Sequence, residues 1–251
     1  GFDSSRVFLF VGGFVGGGGR GWGGVVNELR EDWRVVWGEF ARRWRKKKAV
    51  VWGCLGFWLV TGLAFFWFDE QLIQVVQGRE LFFGREWWVG VCKFLKTYAD
   101  FHWFNLLGAV VMIGVGLAMK SARWRRVGLA FFLAGAMAGV AVQTGKNLIG
   151  RPRPRLVDDG RAESAYAFKG PTWSKKWHAY PSGHSAAVWA SCVALGLRWR
   201  KGFWVCVGFA ALVAWSRVYG NYHWPTDAMH GSALGFFFGW LWGLPKSQET
   251  G

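Results

Sequence analysis

Pro181-Ser-Gly-His-Ser-Ala-Ala-Val-Trp-Ala-Ser-Cys-Val-Ala-Leu-Gly-Leu197 opens on a polar turn and continues as an uncharged, mostly apolar run. Ser182 reads as a helix N-cap, and Gly183 lets backbone approach closely. Unpaired N–H groups at a helix start make an anion site. His184 then projects from the first turn beside that anion. A polar, anion-binding turn at the head of an apolar helix is the pattern to follow outward along the chain.

Composition places that helix in a bilayer. The chain has 251 residues, 52% hydrophobic, with 20 Trp and 22 Phe. Such enrichment in long uncharged runs indicates a membrane protein. The net charge of +16 is distributed between the apolar runs, as in membrane-flanking loops. No base-stacking or groove-reading motif accompanies it, which argues against nucleic acid as a partner. Cys54, Cys92, Cys192 and Cys206 form no C-x-x-C pair and read as small buried hydrophobes.

The expected fold is all-α: a polytopic six-transmembrane-helix bundle. Its six apolar runs are Ala49–Phe68, Phe101–Met119, Val127–Gly145, Ser182–Leu197, Phe203–Tyr219 and Asp227–Leu244. Some fall short of the ~20 residues of a full crossing. The last three adjoin polar motifs, so their ends belong in the interface. Residues 1–24 read as a Gly-rich flexible head, with seven glycines between Gly16 and Gly24. Residues 25–48 read as an amphipathic interfacial helix, because Val26, Leu29, Trp33, Val36, Trp37, Phe40 and Trp44 recur at three- and four-residue steps. The alternative there is an ordinary packed amphipathic helix. Residues 49–251 form the membrane domain. Glycines 231, 235 and 239 line one ridge of the last run, and Gly135 and Gly139 one ridge of the third, as close helix packing in lipid requires.

Loop charge gives an orientation. Arg42–Lys48 carries six Lys/Arg, Lys120–Arg126 four and Arg198–Lys201 three, with no acid in any of them. With six crossings these loops share one side, which the positive-inside bias makes cytoplasmic, together with both termini. The connection Asp69–Asp100 is mixed in charge, as an outside loop should be. Lys146–Pro181 is basic, with eight cations against three acids. Its cations have a second job available, holding phosphate. The expected location is a plasma or inner membrane, with the polar motifs at the external or periplasmic face.

Two more polar stretches share that face. Lys146-Asn-Leu-Ile-Gly-Arg-Pro-Arg153-Pro154 leaves the third run with a compact point charge in Lys146 and a planar, bidentate fork in Arg153. Arg151 and Arg155 are nearby alternatives. Ser216-Arg217 ends the fifth run, and Asn221-Tyr-His223-Trp-Pro225-Thr-Asp227 leads into the sixth. Pro225 suits a first helical turn. Asp227 can reach back to His223, where a carboxylate on one imidazole nitrogen leaves the other as a nucleophile. It is also a dipole-favoured first-turn acid. His102 and His230 read as span-end residues that pack locally, and His178 as a loop residue near the site. No H-E-x-x-H or Cys/His cluster suggests a metal.

In series these stretches read K-x6-R-P, P-S-G-H and S-R-x5-H-x3-D. They resemble the type 2 phosphatidic acid phosphatase family over about Phe101 to Leu244, with all eleven fixed positions present. The resemblance implies a phosphohistidine mechanism without metal or cofactor. His223 would attack phosphorus, Asp227 would orient it, and His184 would protonate the leaving oxygen and then activate water. Lys146, Arg153 and Arg217, with Ser182 and the Gly183 N–H, would bind the phosphate oxygens. The partner it implies is a lipid phosphate in the bilayer: phosphatidylglycerol phosphate, undecaprenyl diphosphate, phosphatidate or lipid A phosphate. Arg155–Tyr180, basic and aromatic, is long enough to gate or select a headgroup. A vanadium-haloperoxidase-like enzyme shares the constellation, but those enzymes are soluble and this chain carries six apolar runs. A non-catalytic headgroup-binding carrier predicts the loss of a histidine, and both are intact.

Overall fold

The computed structural model describes residues 20–46, 48–78 and 84–244. Among them the fold is all-helical, with no strand. In chain order the helices are α1 (Arg20–Lys46), α2 (Lys48–Phe65), α3 (Asp69–Gly78), α4 (Gly84–Tyr98), α5 (Gly108–Ala118), α6 (Ala122–Ile149), a short α7 (Pro154–Asp158), α8 (Gly183–Arg198), α9 (Phe203–Tyr219) and α10 (Pro225–Trp242). A wide helical turn, Phe101–Leu107, leads into α5.

All six apolar runs are helical, yet they differ in length and polarity. Two helices, Ala122–Ile149 and Arg200–Tyr219, are long and apolar enough to cross a membrane, and the count rises to four if each of two bent pairs is one span. The runs at α8 and α10 fall short. α8 has 16 residues, and its sequence is diluted by Ser, Gly and Ala. These are the residues that let it sit at the centre of the molecule, packed between α6, α9 and α10.

The core follows from that placement. Ala130, Ala134, Ala138 and Val142 of α6 meet Ala186, Ala190 and Ala194 of α8, closed off by Trp242 and Leu244. On the other flank of α8, Val188 and Cys192 meet Cys206, Ala210 and Val213 of α9 and Leu95 of α4. The glycine ridge of α10 lies directly on α8. A Cβ at Gly231, Gly235 or Gly239 would run into the carbonyls of Ser182, Ala186 or Ala190. The expected ridge on α6 is only half real. Gly135 accommodates the Asn105 amide, whereas Gly139 faces open space. Asn105 is fully buried and donates to the Phe131 carbonyl at 2.9 Å and to Ser191 Oγ at 2.5 Å, tying the wide turn to α6 and α8. Such polar ties matter where hydrophobicity does not drive helix association. All four cysteines are free, and Cys92, Cys192 and Cys206 are buried as expected.

Residues 1–19 of the Gly-rich head lie outside the described residues. Arg20–Gly24, read as part of that head, instead form the start of α1. Helix costs about 1 kcal/mol per glycine, which the packed remainder of the helix offsets. α1 docks on the bundle. Val36, Asp32 and Glu39 are buried. Asp32 binds Arg125 at 2.6 Å and Arg126 at 2.8 Å, and Phe40 stacks on Trp242 with centroids 4.3 Å apart. One face is therefore an ordinary packed helix face, while Trp44 stays exposed. The Asp69–Asp100 connection, read as a loop, contains α3 and α4. Both are amphipathic, so no long apolar run announced them.

Candidate active site

The three polar stretches converge at one end of the bundle, where α6 and α9 finish and α8 and α10 begin. Gly150 ends α6 in a left-handed conformation, φ 61°. A Cβ there would strike the Gly170 carbonyl, so only glycine allows the turn. The chain then doubles back. Lys169 N donates to the Gly150 carbonyl at 2.9 Å, Thr172 N to the Asn147 carbonyl at 2.9 Å and Arg153 N to the Lys176 carbonyl at 3.3 Å. The Arg155–Tyr180 connection is thus folded onto the site.

Ser182 caps α8 as expected, accepting from Ser185 N at 3.5 Å and Ser185 Oγ at 3.0 Å. Its own hydroxyl hydrogen stays uncommitted. Gly183 allows the ammonium of Lys146, from the last turn of α6, to approach the start of α8. A Cβ on Gly183 would lie 3.2 Å from Lys146 Nζ. Arg217 is buried at the end of α9. It donates Nη2–H to the Cys92 carbonyl at 3.1 Å, and its guanidinium also contacts Ser216 Oγ at 3.1 Å. Arg153 presents a buried Nε–H that meets no acceptor. Burial pushes the Arg153 guanidinium down from its usual value, with Asp227 opposing. Lys146, Arg153 and Arg217 are therefore gathered with N–H groups to spare.

His223 stands among these cations. Its Nδ1 lies 2.7 Å from the Ala179 carbonyl, which only accepts, so Nδ1 carries the proton and Nε2 holds the lone pair. The carboxylate expected in that role sits farther off, with Asp227 Oδ2 at 3.7 Å from Nδ1. Burial pushes the His223 imidazole down to about 4; Asp227 pulls the other way and Arg153 and Lys146 add to the depression. The ring is neutral at pH 7. His184 directs Nε2 at the Lys96 carbonyl, 3.0 Å away, from the first turn of α8. By the same reasoning Nε2 is its donor and Nδ1 the free nitrogen.

Asp227 is mainly engaged elsewhere. Its Oδ2 accepts from Trp224 N at 2.9 Å, capping α10. Its Oδ1 accepts from Arg151 at 2.7 Å. Arg151, the nearby alternative to Arg153 as a phosphate ligand, is fully buried. It also donates to Asp69 Oδ2 at 2.7 Å, Thr226 Oγ1 at 2.9 Å and the Ala165 carbonyl at 3.1 Å. Burial alone would lower the Arg151 pKa, but Asp227 and Asp69 together raise it. Asp69 in turn accepts from Thr226 N at 2.8 Å. Sequence reading missed Asp69. Its signal was a carboxylate closing an apolar run, where an unpaired charge is costly. The carbonyls of Ala179, Lys96 and Cys92 carry no sequence signal, because every residue has one.

Of the remaining histidines, His230 and His178 bond locally, and the side chain of His102 lies outside the described residues. His230 bonds Tyr180 Oη at 2.9 Å and Thr61 Oγ1 at 3.2 Å. His178 Nε2 bonds the Thr172 carbonyl at 2.9 Å, which ties the connection to itself.

Residues 123–245 match the family model described as the PAP2 superfamily. Among curated proteins, lipid A 1-phosphatase of Porphyromonas gingivalis is 29% identical over 154 residues, covering 58% of this chain and 31% of that protein. Undecaprenyl-diphosphatase of Sulfolobus acidocaldarius is 27% identical over 158 residues, 61% of this chain and 68% of that protein. Lipid A 1-phosphatase of Rhizobium johnstonii is 31% identical over 118 residues, covering 46% of each. The match thus spans from about a third to two thirds of the length of these relatives. No solved structure gives a significant match. The matched segment, about half of the chain, contains all eight residues of the pocket and belongs to the PAP2 superfamily.

Proposed function

We propose that this protein is a membrane lipid phosphatase working through a phosphohistidine, with protein cations in place of a metal. The observation that carries the reading is the tautomer of His223: Nδ1–H is spent on a backbone carbonyl, which leaves the lone pair on Nε2, and the neutral ring has Arg153 and Lys146 near it. Nε2 attacks phosphorus as the bond to the leaving oxygen breaks, and His184, protonated at Nδ1 once the anionic substrate phosphate sits beside it, supplies that oxygen with that proton. Water then attacks the phosphohistidine, losing a proton to His184 and releasing phosphate. Lys146, Arg153, Arg217, the Ser182 hydroxyl and the Gly183 N–H stabilise the equatorial oxygens. Asp227 supports the imidazole electrostatically and fixes the start of α10.

The relatives' names support a phosphate on a lipid anchor as the substrate. All six apolar runs cross the bilayer in this reading, with α8 and α10 sheltered by their neighbours. The pocket faces the external or periplasmic side, both termini face the cytoplasm, and α1 lies at the cytoplasmic interface. Purified protein in detergent should release phosphate from a lipid phosphate with EDTA present. His223→Ala should abolish that release; strict metal dependence, or a fully active His223→Ala, would falsify the mechanism.

A further inference from the structure

Three cations surround one aromatic ring, that of Tyr222, next to His223 in the chain. Arg155 Cζ lies 4.6 Å, Lys96 Nζ 4.9 Å and Arg217 Cζ 5.0 Å from the Tyr222 ring centroid. Arg217 belongs to the phosphate pocket. Lys96 and Arg155 belong to none of the three polar stretches' motif positions, and both side chains are exposed. Lys96 comes from α4, outside the segment that matches the superfamily.

Among the described residues, no carboxylate pairs with Lys96, Arg155 or Arg217. Arg155 hydrogen-bonds only a neutral group, the Gly220 carbonyl at 3.2 Å. Asp158, on the same short helix as Arg155, accepts from Asn221 Nδ2 at 2.5 Å. Asp227 and Asp69 are committed to Arg151. Cation–π attraction is weak at an exposed site, and like charges drawn to one ring repel. An anion arriving among them relieves that repulsion.

The ring is also fixed to the reacting groups. Tyr222 N and His223 N both donate to the Arg217 carbonyl, at 3.0 and 3.1 Å. The Lys96 carbonyl holds His184. A second anion seated on Lys96 and Arg155 therefore lies next to the phosphate seated on Lys146, Arg153 and Arg217.

We propose that Lys96 and Arg155, over the Tyr222 ring, form a second phosphate position, so that the substrate is a lipid diphosphate. This rests on the phosphate pocket proposed above. The terminal phosphate meets His223, and the inner one, still on the lipid, rests on Lys96 and Arg155. The new bond is Nε2–P. The bond that breaks joins the terminal phosphorus to the bridging oxygen, which takes its proton from His184 and leaves as the lipid monophosphate.

The test separates binding from turnover. Calorimetry in detergent would compare methylenediphosphonate with methylphosphonate, neither of which can be hydrolysed at its P–C bond. The wild type should prefer the diphosphonate about tenfold or more, and Lys96→Met/Arg155→Met should bring the ratio to about one. Arg155→Gln alone should give an intermediate ratio, which guards against misfolding of the double variant. A wild-type ratio near one, or a ratio kept by the double variant, overturns the proposal. Equal loss of both ligands also overturns it, since that is general attraction. Farnesyl diphosphate and farnesyl monophosphate then test turnover. Preferential binding without phosphate release from either sinks the phosphatase reading and leaves the second phosphate position standing; no binding of either phosphonate sinks both.

Discussion

A histidine nucleophile needs its lone pair on phosphorus and its proton elsewhere. For His223 the Ala179 carbonyl settles this, at 2.7 Å from Nδ1. Burial does the rest, holding the imidazole near 4 against an ordinary value of 6.5. The consequence is a pH prediction. Protonation would remove the proposed nucleophile, and the folded value is the depressed one. The acid limb of kcat/KM should therefore fall at about pH 4 rather than between 6 and 7. The linked stability change has the same origin. Unfolded His223 takes up a proton from about pH 6.5 downward and folded His223 only near 4, so the folded state loses stability as pH falls through that window. An acid limb centred near 6.5 in a kcat/KM profile would show that the ring is not held neutral by burial.

At the scale of elements, the contact between α8 and α10 positions the pocket. Ser182 N donates to the Asp227 carbonyl at 2.9 Å, so the start of one helix is tied to the start of the other. The glycine ridge makes that approach possible. Gly235→Ala puts a methyl against the Ala186 carbonyl and 2.7 Å from Trp189 Cβ. It should cost about 1–3 kcal/mol, seen as a lower Tm in detergent. Gly208→Ala in α9 adds the same methyl where nothing lies within 4 Å, and should leave Tm unchanged or raise it. Equal Tm values for the two variants would mean that the ridge is not a tight contact. The ridge was legible as spacing on α10. On α6 the same spacing misled, because Gly139 has no helix against it.

At the scale of the whole molecule, orientation rests on loop charge. The Arg155–Tyr180 connection folds over the pocket, and Trp173 within it is 84% exposed. Trp199 lies in the basic turn at the opposite end of α8 and is 53% exposed. With Cys54 replaced by Ser, the other three cysteines are buried and give little background. Trp173→Cys in intact cells should react with a membrane-impermeant maleimide, and Trp199→Cys only after the membrane is opened. The reverse pattern would invert the orientation and put the pocket in the cytoplasm.

Much of this protein is set locally along the chain. Apolar runs, the Ser182 cap and the Pro225 start are short-range effects of side-chain chemistry and backbone freedom, and all could be read from neighbouring residues. So could the eight pocket residues, because phosphate chemistry demands particular side chains at fixed spacings. Tertiary structure alone decided which of them touch. It gave His223 a backbone carbonyl as its nearest partner and drew Asp227 and Asp69 to Arg151, residues from three separate segments. It also brought Lys96 from α4 to the ring beside the nucleophile. The physical reason is that a carbonyl is present at every residue and a charge finds its partner across space, so neither leaves a mark in the local sequence.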